Sequence, residues 1–315
     1  MYKNYLIKNK ALRIILRIFL IITIIVILLI LNGASLLTAS MVKGRAEYGE
    51  LENAGNYGLT AEILSLETED EYSIIAYDVP VPESKGYVII VSGIYSPSVT
   101  AFFSYSRMFS EMGYSTLLIE MRGHGGSDGD RVMLGYTEER DVNAAVDYIK
   151  MNNSGNDFPI VMMGTSMGAS VAINAAAGNS GIDGVISQSA YSSWEENMAD
   201  QFEKNGVPRF IARAQIPFTR LYLAMRFGWK DSGNTSLKSI AKLGNRPVLL
   251  MHSTEDSQVI FENYIRLKEA GENIIPYVVE GDKHFILEND KEFSNPELNQ
   301  KYYKVINAFL AKFAE

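Results

Sequence analysis

The sequence contains no cysteine and only three histidines in 315 residues. The first absence excludes a disulfide scaffold, a lipoprotein anchor and any zinc or iron–sulfur centre built on thiolates. The second restricts imidazole chemistry to His124, His252 and His284. A basic surplus is also missing. Against 37 acidic residues stand 29 lysines and arginines, a formal charge of −8, which leaves nothing to neutralise a phosphate backbone. Nucleic acid is therefore not an expected partner. No glycine-rich loop ends in Lys-Ser or Lys-Thr, and no metal-ligand cluster is present, so neither nucleotide nor metal is expected and no cofactor is implied. The acid run Glu67, Glu69, Asp70 and Glu71 lacks the loop glycine and spacing of a calcium site and reads as a solvated loop.

Acids are missing altogether before Glu47, whereas Lys3, Lys8, Lys10, Arg13, Arg17 and Lys43 precede it. From residue 44 onward the chain then carries 23 basic against 37 acidic residues. Residues 18–31 are apolar apart from Thr23, and no charge falls between Ile18 and Val42. That run is long enough to cross a hydrocarbon core. It is apolar on every face and follows five cations, which favours a membrane segment over a buried core helix. An uncleaved anchor is the preferred expectation and a signal peptide cleaved near Thr38-Ala39-Ser40 the alternative. The cations predict a cytoplasmic N-terminus, one span and an extracytoplasmic body; cleavage would make the protein secreted.

The chain as a whole is 47% hydrophobic and of ordinary charge content, as in a globular protein. Residues 1–43 are expected to form the stub and anchor, 44–70 a polar tether, and 71–315 one catalytic-sized domain. Strand-like runs at 72–77, 87–91, 115–119, 160–163, 184–187, 248–251 and 274–279 alternate with helical patterns at 100–112, 137–150, 167–177, 257–270 and 296–313. Thr137 is expected to cap the second of these helices, with Glu138 and Glu139 in its first turn. Such alternation predicts an α/β fold, a mostly parallel sheet with helices on both faces. Residues 191–245 are too long for a simple crossover and rich in aromatics, and are expected to form a helical cap insertion.

Two segments match Gly-x-Ser-x-Gly, at 125–129 and 164–168. The motif has mechanical meaning at a sharp strand-to-helix turn that exposes the serine. Ser166 follows the strand 160–163 and opens a small-residue helix, so it is the candidate nucleophile; Ser127 leads into a loop. A serine nucleophile needs a base, and the base an orienting acid. With the order serine, acid, histidine along the chain, His284 in the loop after 274–279 is the base. His252 reads as structural, and His124 as a brace for its own turn. The acid is sought after 248–251, where Glu255 and Asp256 both lie. Oxyanion donors are expected from the N–H of Met167 and from the loop after 87–91, where Ile94 is preferred to Gly93.

These residues resemble the α/β-hydrolase superfamily, and in particular bacterial membrane-anchored serine hydrolases of the monoglyceride-lipase type. The resemblance spans about residues 72–313. It rests on Gly113-Tyr114, Glu120-Met121-Arg122-Gly123-His124-Gly125-Gly126-Ser127-Asp128-Gly129, the helix opening Gly135–Asp141, the elbow Gly164–Ala169, His252–Val259 and Gly281–His284. It departs from the family pattern at Ser92, where a histidine is usual, and at Glu120, where an aspartate is usual. Within His252–Val259 it singles out Asp256 as the acid. The resemblance implies cofactor-free hydrolysis of an acyl ester, small or lipid-like, through Ser166, His284, Asp256 and an acyl-enzyme. A peptidase or amidase on the same triad, and a non-catalytic surface binding module, are the alternatives.

Overall fold

A computed structural model describes residues 2–95, 97–153 and 158–313, with helix side chains from Leu12 onward. The chain opens with helix α1 (Tyr2–Leu31), whose stretch Leu12–Leu31 is long and apolar enough to cross a membrane and is not buried in the protein. Helix α2 (Gly33–Met41) follows after one residue. Strands and helices then run β1 (Glu62–Glu67), β2 (Ser73–Val79), β3 (Tyr87–Val91), α3 (Phe103–Glu111), β4 (Ser115–Ile119), α4 (Glu139–Asn152), β5 (Ile160–Thr165), α5 (Met167–Gly178) and β6 (Gly184–Gln188). Four helices, α6 (Trp194–Lys204), α7 (Arg209–Ala214), α8 (Ile216–Phe227) and α9 (Ser236–Ile240), separate β6 from β7 (Val248–Ser253). The chain continues through α10 (Glu262–Ala270), β8 (Ile274–Val279), α11 (Asp290–Phe293) and α12 (Gln300–Leu310).

The sheet order is β1-β2-β4-β3-β5-β6-β7-β8. The β1/β2 and β2/β4 pairs are antiparallel and the rest are parallel. Strands β3 to β7 are buried along their whole length, and their sequences are near-continuous apolar runs. A parallel sheet covered on both faces demands that pattern. One core lies on each face: α4, α5 and α10 cover one, α3 and α12 the other. The edge strand β1 exposes Glu62, Ile63, Ser65 and Glu67, and its charges discourage edge-to-edge pairing.

Several expected boundaries move, each for a local reason. The stretch expected as a tether contains β1 and packs on the body, because Leu66 is buried against the sheet while its neighbours face water. Thr137 does not cap α4: its hydroxyl is buried without a partner, and the helix starts at Glu139. The Glu138 carboxylate instead accepts the N–H groups of Met133 and Thr137. The helix expected from 257 begins at Glu262, since the N–H groups of Ser257, Gln258 and Val259 are committed to carboxylates. The helix expected over 100–112 starts as a 3-10 turn at Val99–Phe102, opened by Ser98. That expected over 296–313 breaks at Asn299, whose side chain accepts the N–H of Tyr302.

Asp70 does not lie in a solvated loop. Arg122 grips it at 2.7 Å and Arg140 at 3.2 Å, and the Arg122 guanidinium holds its carboxyl well below the usual range. Arg122 also meets the fully buried Asp141 at 2.7 Å. Burial raises the Asp141 carboxyl to about 7 even against the pull of Arg122, which lowers it. This buckle ties the β1–β2 turn to the turn after β4 and to α4.

Candidate active site

The carboxyl ends of the parallel strands bring the candidate residues to one edge. Ser166 sits between β5 and α5 with φ 57° and ψ −121°, a conformation that a non-glycine residue adopts only when its surroundings enforce it. Two glycines make that possible. A Cβ on Gly164 would lie 2.1 Å from the Gly168 carbonyl oxygen, and one on Gly168 would lie 2.3 Å from that of Ser92. The Ser166 N–H donates to the Gln188 carbonyl at 2.8 Å, which fixes the elbow to β6. The Ser166 side chain is half-buried. No hydrogen bond joins its Oγ to another described residue.

Asp256 follows β7 and His284 follows β8. His284 Nδ1 lies 2.9 Å and 3.1 Å from the two Asp256 carboxylate oxygens. A nitrogen facing a carboxylate carries the proton, which leaves Nε2 as a free base. The N–H groups of Gln258 and Val259 donate to Asp256 Oδ1 at 2.8 and 2.9 Å, so the carboxylate cannot rotate freely. Burial alone would raise the Asp256 pKa; the hydrogen bond and charge of His284 outweigh it and hold the group below its usual value. Ser189 Oγ donates to the His284 carbonyl at 2.8 Å and steadies the loop. Glu255, the other acid in this loop, is exposed.

Ser127 is buried; its hydroxyl donates to the Glu120 carbonyl and accepts the N–H of Ile75 at 2.9 Å. It is a turn residue. His252 is fully buried, with Nε2 2.8 Å from the Val259 carbonyl and 3.8 Å from Asp256. His124 reaches further than its own turn. Its ring nitrogens lie 3.0 Å from the Arg122 carbonyl and 2.7 Å from the Ile94 carbonyl. It thereby pins the loop after β3, which holds Gly93 and Ile94, to the arginine buckle. Glu120 supports the same region by accepting Ser98 Oγ and the Gly126 N–H. A Cβ on Gly125 would collide with the Glu120 carboxylate, so the glycine makes room for the longer acid.

Sequence reasoning missed Arg45 and Ala46. Arg45 donates to the carbonyls of Gly125, Ser127 and Gly129, at 2.5, 2.9 and 3.3 Å. Ala46 donates to Gly123 at 2.7 Å and accepts from Gly125 at 2.9 Å. Only partners distant in sequence define this strap, and nothing local signalled it. Beside His284 an open pocket of about 340 Å³ is lined in part by Pro97, Phe285, Leu287 and Phe293. Among the described residues no cluster of His, Asp and Glu could hold a metal ion.

Residues 82–232 match the family described as "Serine aminopeptidase, S33". A protein of Bacillus subtilis, "Uncharacterized protein YqkD", is 26% identical over 76% of this chain and 75% of its own length. Among solved structures, the Pyrococcus furiosus esterase Pf2001 superposes with a TM-score of 0.66 at 19% identity, covering 86% of this chain and 98% of the esterase. Est1E of Butyrivibrio proteoclasticus, solved with ferulic acid bound, superposes with a TM-score of 0.55 at 19% identity, covering 79% and 98%.

Proposed function

We propose that the chain, which has the α/β-hydrolase fold, is a membrane-anchored serine hydrolase of carboxylic esters. The observation that carries this reading is the Asp256–His284 pair, held at the sheet edge that also presents the strained Ser166 elbow. In the proposed reaction Ser166 Oγ attacks the ester carbonyl while His284 Nε2 takes its proton. Asp256 keeps the imidazole in that tautomer and stabilises its cation. The N–H groups of Met167 and Ile94 receive the oxyanion. The alcohol leaves with the proton from His284, and a water activated by the same histidine releases the acyl group. The serine and histidine are not hydrogen-bonded in the free protein. Catalytic hydrogen bonds are often long before substrate binds.

The apolar side of the pocket beside His284, made by Pro97, Phe285, Leu287 and Phe293 opposite Asp282, Lys283, Asn289 and Asp290, supports an apolar or lipid-like substituent on the substrate. The helix α1 supports a single-pass anchor, and the cations before it support a cytoplasmic N-terminus with an extracytoplasmic body. The test is hydrolysis of p-nitrophenyl esters from acetate to palmitate by the detergent-solubilised full chain and by Ser166→Ala. The reading expects activity that disappears in the variant. A folded wild-type chain that hydrolyses none of the series refutes it. The matched family's description favours an aminopeptidase as the second reading, and aminoacyl anilides cleaved in place of esters decide for it.

A further inference from the structure

The cap between β6 and β7 is not free to swing away from the membrane helix. Only Asn32 separates α1 from α2; its N–H donates to the Leu28 carbonyl and the Leu36 N–H donates to the Asn32 carbonyl, so a single hydrogen-bonded residue joins the two helices. Helix α2 packs against α6 and α8. The N–H of Ala34 donates to Gln215 Oε1 at 2.8 Å, and Trp194 Nε1 donates to Thr38 Oγ1 at 2.8 Å. Ala34, Ser35 and Thr38 are buried by this docking, while Leu36 and Leu37 face outward. Helix α7 packs against α1 itself. The depth of α7 is therefore set by the span and not by a flexible linker.

What α7 exposes at that depth is apolar and basic. Phe210 is 76% exposed. Arg209 beside it is exposed, and its nearest acid, Glu203, is 4.0 Å away. Residues 205–230 contain five cations, Arg209, Arg213, Arg220, Arg226 and Lys230, and no acid. Arg213 is paired with Glu196, Asp200 and Glu203, and Arg220 with Glu195, so the cations that remain to meet an anionic surface are the exposed Arg209 with Arg226 and Lys230. An exposed aromatic ring among cations, fixed to the end of a membrane span, fits the headgroup layer of a bilayer carrying anionic lipid.

We propose that the α7 corner of the cap, with Phe210 inserted and Arg209 on the lipid phosphates, is seated in the headgroup layer of the bilayer that α1 spans. The proposal rests on α1 being a membrane span, and it is independent of the triad. Its consequence is a fixed orientation: the cap faces the lipid, and the body cannot rotate about its anchor.

The absence of native cysteine allows a direct test. Single cysteines are introduced into the full chain as Phe210→Cys and, as a reference far from α1, Met151→Cys, a residue 71% exposed on α4. Each is reconstituted at one chain per nanodisc of phosphatidylcholine and phosphatidylglycerol, and its reaction with a charged maleimide is timed. The proposal expects Phe210→Cys to react at least about tenfold more slowly, because the corner leaves the lipid only as a minor population. Adding Arg209→Glu restores much of the rate, and both sites react alike in denaturant. Rates within twofold in the native protein overturn the proposal. Protection that arises only when two chains share a disc also overturns it, in favour of a second copy of the chain. A chain that fails to co-purify with the disc refutes the reading of α1 itself, and the proposal with it.

Discussion

Replacing Gly168 by alanine tests whether the elbow is built by steric necessity. The added methyl carbon would lie 2.3 Å from the Ser92 carbonyl oxygen and 2.6 Å from that of Val91, where ordinary contact begins at 3.4 Å. Both neighbours are backbone at the end of β3, and Val91 pairs with Gly164 in the middle of the sheet. They must move by roughly 1 Å, and overpacking of this kind costs about 1–3 kcal/mol. Alanine's better helix propensity returns less than about 1 kcal/mol. A net loss of stability of ~1–2 kcal/mol is expected. The same displacement shifts the loop that carries Ile94, and a misplacement of ~1 Å can cost about 10²-fold in kcat/KM. Gly178, at the far end of the same helix, is the control, because a Cβ there meets nothing within 4 Å. Gly178→Ala is expected to be neutral or stabilising by up to ~1 kcal/mol. Urea unfolding in detergent and ester hydrolysis read both variants. A Gly168→Ala chain with wild-type stability and wild-type turnover refutes the reasoning.

Two further outcomes follow from buried polar groups. Thr38→Val removes the acceptor of Trp194 Nε1–H inside the cap, and an indole donor left unpaired costs about 1–3 kcal/mol; unchanged thermal stability would show that α2 is not docked as described. His252 is held neutral, since burial lowers its pKa and its Nδ1 has no partner to accept from it a second proton. Its contribution is intact above the unfolded value of about 6.5 and is lost as the pH falls below it, by up to about 1.4 kcal/mol per pH unit. Unfolding measured from pH 8 to pH 5 should show this slope flattened in His252→Gln, and an equal slope in both proteins contradicts it.

The central sheet was legible because strands such as 87–91 and 248–251 are uninterrupted apolar runs that only a doubly covered sheet accommodates. Strand β1 was not, since at an exposed edge Glu62 and Glu67 read as loop composition. The elbow was legible because its glycines have a steric purpose that shows in their spacing. The strap formed by Arg45 and Ala46, and the grip of Arg122 on Asp70, join residues some 50 to 85 positions apart and leave no local pattern. Thr137 failed as a cap for a local reason: its hydroxyl is buried without a partner, its own N–H is held by the Glu138 carboxylate, and no side chain caps α4.

The most direct test of the proposed chemistry is covalent labelling of the full chain with a fluorophosphonate, followed by peptide mass spectrometry. The account predicts one adduct, on the peptide carrying Ser166, abolished by Ser166→Ala and strongly slowed by His284→Ala. Labelling of a different serine, or none in a folded chain, would contradict it.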